Sequence, residues 1–335
     1  MKLSTLIALL ADAPAMLRTY RPVLAVQRLA FLGAAGRAGV LARLGRGAAT
    51  LDELAAVAGT PADARDALAA WLAAGVRLGE LGRDGERYRL RGRLARTLAD
   101  PACDAALALV ESAIAHHARV LFETPSLLAS GRRLTLADLD GARVARVSRL
   151  SEPLLREAID EVVPASGEIR LLEVGCGDAT HLRHALLRNP DLTAVAVEID
   201  PAVAARALEN LAAWQLAGRV EVVASDVRAL GAGRRFDLVT LHQNVYYFPL
   251  AERVPLFVEL RGLAGPGARL LITSTCRGGS MISAVLDVWG RVTESAGPLP
   301  DPDELVAQLE TAGWREVGAR NLLPGDRFYR FVARA

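Results

Sequence analysis

Residues 172–178 read Leu172-Glu173-Val174-Gly175-Cys176-Gly177-Asp178, and this stretch decides the fold. An apolar run from Ile169 leads into it and a helical pattern follows from about Ala179, so it marks the turn from a strand into a helix. Glycines at 175 and 177 let the main chain turn tightly and let a ligand approach the backbone. The amides that open the following helix lack intrahelical partners, which favours an anionic end on that ligand. The next apolar run ends in Glu198, 21 positions after Gly177, the spacing at which a carboxylate reaches the two hydroxyls of a ribose. A dinucleotide fingerprint requires a third glycine at position 180. Thr180 stands there, which disfavours NAD and leaves a nucleoside whose second half is small.

Outward from this turn, short apolar runs alternate with helical stretches: Ile169 to Val174, Ala194 to Val197, Val220 to Ala224, Phe236 to Leu241 and Ala268 to Thr273. That alternation predicts a Rossmann-like α/β domain over residues 165–335, a parallel sheet with helices on both faces.

Residues 173–177 resemble motif I of class I S-adenosylmethionine-dependent methyltransferases, and the resemblance continues in the family's order. Val197-Glu198-Ile199-Asp200-Pro201 looks like its ribose-binding strand end, and Ser225-Asp226-Val227 like its adenine-contacting one. Phe236-Asp237-Leu238-Val239 matches the fourth strand, Leu263-Ala264-Gly265-Pro266-Gly267 the turn before the fifth, and Leu309-Glu310-Thr311-Ala312-Gly313-Trp314 a late helix-to-strand turn. The resemblance implies that Gly175, Cys176 and Gly177 flank the methionine part of S-adenosylmethionine. Glu198 and Ile199 then meet the ribose side, Asp226 and the amide of Val227 the adenine, and Glu173 acts from beneath on the amino group. Methyl transfer from a sulfonium is an in-line displacement, so the protein chiefly aligns the acceptor and removes its proton. In the plant-like O-methyltransferases a histidine lies a few residues after the fourth strand. Tyr246 occupies that place here, so the usual base is missing. His242, directly after the fourth strand, is the other candidate for the proton-accepting role, or packs against the cofactor.

The first 100 residues read as short Ala- and Leu-rich helices. Thr50-Leu-Asp-Glu53 is a capping box opening one helix, Gly59 ends it, and Thr60-Pro61 opens a second that runs toward Gly75. After Asp84-Gly85, Arg87-Tyr88-Arg89-Leu90-Arg91 alternates as one arm of a hairpin does. Helix-turn-helix plus hairpin predicts a winged helix over residues 1–100, followed by a helical connecting layer over 101–164. A winged helix before a methyltransferase domain is similar to small-molecule O-methyltransferases of plants and of bacterial secondary metabolism. The resemblance implies a small-molecule substrate with oxygen as acceptor, carbon and nitrogen remaining open, and a homodimer formed through the first domain. The competing reading is a ligand-sensing DNA-binding regulator. Against nucleic acid, the second helix of the pair offers two aspartates and one arginine between Pro61 and Trp71 and no Asn, Gln or Lys for base edges.

Composition agrees with an ordinary two-domain globular chain: 335 residues, 52% hydrophobic and 23% charged. A formal net charge of +2, from 40 basic and 38 acidic residues, gives no global field that would attract nucleic acid or an anionic membrane. Cys103, Cys176 and Cys276 make no disulfide framework, so a reducing cytoplasm is the expected setting. The opening thirteen residues have the outline of a signal peptide but a weak n-region, and no apolar stretch predicts a membrane span. His181 and His184 lie one turn apart but lack a third ligand nearby, so no metal is expected. Residues 277–289 read as an extra helix over the site. Met281 and Trp289 from it, Tyr247 after the fourth strand and His116 from the connecting layer are candidate substrate-pocket residues.

Overall fold

The computed structural model describes residues 3–231 and 233–335, with side chains from Ala13 onward. The chain divides into two compact units, Met1–Arg119 and Val120–Ala335, so the expected connecting layer is shared between them.

The first unit holds α1 (Leu3–Arg37), α2 (Val40–Gly45), β1 (Ala49–Thr50), α3 (Leu51–Val57), α4 (Arg65–Arg77), β2 (Leu81–Asp84), β3 (Arg87–Leu90), α5 (Arg93–Leu98) and α6 (Asp104–Ser112). Where short helices were expected, α1 is one helix of 35 residues that carries Pro14 and Pro22 inside it. The capping box is present: Thr50 Oγ1 accepts from the Glu53 amide at 3.3 Å and Glu53 Oε2 accepts from the Thr50 amide at 2.8 Å. The second helix of the pair begins as an α-helix only at Arg65, because Ala62–Ala64 wind as a tighter 3-10 turn after Pro61. β2 and β3 form the antiparallel hairpin, and β1 adds to β3, giving the order β1-β3-β2. Phe31, Leu32, Leu41, Leu54, Leu72, Leu81 and Tyr88 bury together as the core of this unit. In it Glu80, fully buried, accepts from the amide of Ala95 at 3.0 Å and from Arg28 Nε.

A π-helical turn at Ala113–His117 joins α6 to α7 (Ala118–Ser130), inside which the second unit opens. The helical run Pro101–Ser130 is long and apolar enough, by length and composition alone, to cross a membrane, although it carries Asp104, Glu111, Arg119 and Glu123. Core helices meet the same measure, and Leu107 and Ala108 bury in one unit while Val120 and Leu127 bury in the other.

The second unit continues with α8 (Gly141–Ser148), α9 (Glu152–Val162), β4 (Ile169–Val174), α10 (Thr180–Arg188), β5 (Leu192–Glu198), α11 (Pro201–Ala213), β6 (Val220–Ala224), β7 (Phe236–His242), α12 (Leu250–Leu263), β8 (Ala264–Thr275), α13 (Met281–Val292), α14 (Pro302–Thr311), β9 (Arg315–Asn321) and β10 (Phe328–Arg334). Its seven strands run in the order β6-β5-β4-β7-β8-β10-β9. β4 through β8 pair in parallel, as expected, but β10 is antiparallel to both β8 and β9, so the sheet is mixed. β8 also starts earlier than its glycines suggested: Ala264 already pairs with Phe236, and a bulge precedes Arg269. Helices cover both faces. Leu172, Val174, Val239, Leu241 and Ile272 point into one core with Leu256, Phe257 and Leu260 of α12. Leu171, Leu238 and Leu271 point the other way, against Leu155 and Ile159 of α9 and Leu182 and Leu186 of α10.

Candidate active site

The chain leaves β4 to build β5 and β6 on one side and later returns to build β7 and β8 on the other. The carboxyl edge at such a reversal of strand order is where open α/β sheets hold ligands. The glycine turn after β4 sits at that point. Gly175 and Gly177 have φ of 66° and 56°, a region closed to most side chains. The amides of Gly175 and Cys176 both donate to the Val197 carbonyl, at 2.8 and 3.0 Å, which ties the turn to β5. Asn244, just beyond β7, donates from Nδ2 to the carbonyl of Val174. A Cβ on Gly175 would stand 2.6 Å from that nitrogen, so the clamp and the glycine require each other. Asp178 Oδ1 accepts from the amide and hydroxyl of Thr180 at 3.1 and 2.6 Å and caps α10, while Asn210 Nδ2 of α11 holds the Asp178 carbonyl at 2.9 Å. Ala179, with φ of 66°, completes the turn into the helix.

Glu198 ends β5 facing this turn. Its Oε2 accepts from the Gly177 amide at 3.0 Å and its Oε1 from the Asp200 amide at 3.1 Å, so the carboxylate is fixed before any ligand arrives. Ile199 beside it is 64% exposed, an apolar surface open to a ligand. At the end of β6, Asp226 caps the turn Val227–Ala229 through the Arg228 amide and pairs with the Arg228 guanidinium at 2.6 Å. That pairing holds its carboxyl below the usual range, and Arg228 reaches on to Glu252 at 2.9 Å. The Asp226 carboxylate is therefore already occupied. Val227 behind it is buried.

Beneath the glycine turn lies a buried polar layer. Glu173 shares the α10 side of the sheet with Thr240, opposite it in register, and with His242 two residues on, which pairs with Thr273 of β8. Glu173 is 2% exposed and its Oε1 has no hydrogen-bond partner. Burial, with Asp178 adding a like charge, pushes its carboxyl up to about 8. His242 places Nδ1 2.9 Å from the Thr273 hydroxyl and leaves Nε2 unpaired. His181, in the first turn of α10, meets His242 edge to face at 5.6 Å between ring centres and leaves Nδ1 unpaired. Burial lowers both rings, His242 well below the ordinary histidine value, so both are neutral at pH 7. His181, considered from the sequence as half of a metal pair, belongs to this layer. His184 one turn on pairs with Asp160 at 2.9 Å, and no group of metal ligands forms among the described residues.

Of the remaining candidates, Tyr246, Tyr247 and Trp289 fall into a separate apolar cluster. Tyr246 is buried there with Val120, Leu127, Val285 and Trp289, and Tyr247 lies edge to face on Trp289 at 5.6 Å. Burial raises Tyr246 well above its ordinary value and Tyr247 to about 12, so neither phenol is a base. Trp289 is 1% exposed, whereas Met281, at the start of α13, is 65% exposed and outside the buried cluster. His116 and His117 lie in the π-helical turn of the first unit, ring to ring at 5.7 Å. Sequence reasoning missed Asn244 and Asn210, whose partners are 70 and 32 residues away.

Against this geometry, known proteins give a consistent answer. Residues 172–270 match the family described as a methyltransferase domain. The mitomycin 7-O-methyltransferase MmcR superposes with a TM-score of 0.74 at 18% identity, over 97% of this chain and 99% of its own. Human N-acetylserotonin methyltransferase in complex with S-adenosylmethionine gives 0.71 at 16%, over 96% and 97%. The O-methyltransferase NcsB1 from neocarzinostatin biosynthesis, in complex with S-adenosylmethionine and 2-hydroxy-5-methyl naphthoic acid, gives 0.68 at 19%, over 92% and 95%. No curated protein sequence matches the chain. Residues 172–270 of the C-terminal unit thus match a methyltransferase domain, and its mixed seven-stranded sheet has the Rossmann-like fold of those methyltransferases.

Proposed function

We propose that this chain methylates an oxygen of a small molecule. The observation that carries the reading is the Glu198 carboxylate, fixed by the Gly177 and Asp200 amides at the reversal of strand order. Two hydroxyls on adjacent ribose carbons match two fixed carboxylate oxygens, and the unpaired Glu173 Oε1 below suits the amino group of a methionine moiety. S-adenosylmethionine, when bound, supplies a methyl group already activated on a sulfonium. Gly175 and Gly177 give it backbone access, Glu198 and Ile199 hold the ribose, Asp226 and Val227 bound the adenine, and Cys176 with its buried thiol forms the floor. His242 sits too deep and too weakly basic to draw a proton at pH 7, and we assign it to the wall beneath the cofactor. Tyr246 and Tyr247, with Trp289, line the acceptor side, with Met281 at its edge.

Without a strong base, the acceptor must surrender its proton easily, as an acidic phenol does. Oxygen is supported by the likeness to the O-methyltransferases of mitomycin and neocarzinostatin biosynthesis. Nitrogen is the second reading, favoured by the riboflavin-derived N,N-dimethyltransferase RosA at a TM-score of 0.66 and 21% identity. We further propose a cytoplasmic homodimer formed through a winged-helix first unit, without nucleic acid.

Calorimetric titration with S-adenosylmethionine and S-adenosylhomocysteine tests the site. Saturable binding is expected, weakened roughly 10- to 100-fold in Glu198→Ala, the cost of two charge-assisted hydrogen bonds. A folded wild type that binds neither ligand sinks the reading, and salt-dependent, sequence-specific DNA binding in a gel shift would put a regulator in its place.

A further inference from the structure

The carboxylate layer around the glycine turn lacks its counter-charge. Glu173 lies beneath, Glu198 beside and Asp178 just after the turn, and the Cys176 thiol senses all three. Among the described residues the Arg149 guanidinium approaches this group at Asp178, 4.0 Å away. The groups packed over Glu173 from other elements are neutral: Thr240 and His242 from β7, His181 from α10, and the Asn244 amide, committed to the Val174 carbonyl. Glu173 is thus a 2% exposed carboxyl with one oxygen unpartnered, at a site whose ligand carries an ammonium.

We propose that Glu173 stands as a neutral acid in the free protein and gives its proton to solvent when the α-ammonium of the cofactor's methionine moiety arrives. The inference rests on the cofactor reading above. The step balances simply: a carboxylic acid and an ammonium become a carboxylate–ammonium pair, and one proton leaves to buffer. Burial without a cation is what keeps the free acid protonated, up to about 8. An α-amino group titrates near 7.7–8.0, so at pH 6.5 the ligand is already fully charged and contributes no proton of its own. Burial lowers the His181 and His242 rings, His242 well below the ordinary histidine value, which disfavours their holding a proton there. Cofactor affinity must then rise with pH, roughly tenfold between pH 6 and 7, and pass through a maximum near 8, above which the ligand's own ammonium loses its proton.

The test is calorimetric titration of the full chain at pH 6.5 in two buffers of very different ionisation enthalpy. S-adenosylmethionine and S-adenosylhomocysteine should each release close to one proton per site. 5′-Methylthioadenosine, which lacks the amino acid arm, should bind without releasing any. Glu173→Gln, a neutral isostere whose folding is checked by circular dichroism, should bind the cofactor with no buffer dependence and a flat affinity from pH 6 to 8. Binding to the wild type with no proton release, or unchanged release in Glu173→Gln, overturns the proposal while leaving the cofactor site standing. Absence of binding by all three ligands overturns the cofactor reading itself.

Discussion

Single residues divide here into those whose role is announced locally and those whose role is made by the fold. Gly175, Gly177 and Glu198 are of the first kind: backbone freedom and a fixed spacing are properties of the chain itself, and the strand ends fall where the sequence placed them. Asn244 and His181 are of the second kind. An Asn that clamps a carbonyl 70 residues away, or a histidine buried because α10 docks on β7, leaves no mark in a local window. Glu173 was legible as a site residue but not as an uncharged one, since its environment comes from three strands. Its raised value fixes a sign for stability. Between its ordinary 4.5 and about 8 the folded protein keeps a proton that the unfolded chain has lost, so stability falls as pH rises through that window and is flat above it. Cofactor-free protein should therefore melt at a lower temperature at pH 8 than at pH 5.5, a loss on the order of a few kcal/mol, and Glu173→Gln should remove most of it. Parallel pH profiles of the two proteins would contradict this.

At the scale of elements, local chemistry predicted starts better than lengths. The Thr50–Glu53 capping box is read directly from four residues, and both of its hydrogen bonds form. Thr50→Ala should cost ~1 kcal/mol in denaturant unfolding, the usual worth of such a cap, and an unchanged midpoint would show that neighbouring packing carries the helix instead. By contrast α1, expected as short helices, is one continuous helix that runs through Pro14 and Pro22. β9, the strand implied by the late helix-to-strand turn at Leu309–Trp314, has no pattern of its own: Arg315–Asn321 is exposed at almost every position, so no alternation of buried and exposed residues marks it. Its pairing to β10, not its pattern, makes it one.

For the molecule as a whole, the question is what covers the exposed apolar side chains of α1. Met16, Tyr20 and Val23 fall within one turn-spaced stripe at i, i+4 and i+7, each 49–62% exposed, with Leu17 beside them at 72%. A stripe of this kind on a soluble chain marks an association surface, and a second copy of the same helix is the partner we propose. Leu17→Glu with Tyr20→Glu should shift the chain to half its mass in light scattering after size exclusion. A wild type that is already monomeric, or a double variant that keeps its mass, would remove α1 from any dimer.

The order of strands also bears on how the chain is made. β10, the last of the described strands, lies between β8 and β9 and pairs with both, and Phe331 buries fully in the core it helps to close. During synthesis, β8 therefore emerges with one edge bare, and nothing made before residue 328 can occupy it. That edge is open to pairing with other chains until β10 arrives. The sheet is consequently closed only once residues 328–334 have been made, and a chain cut before them carries an unprotected edge rather than a smaller working domain.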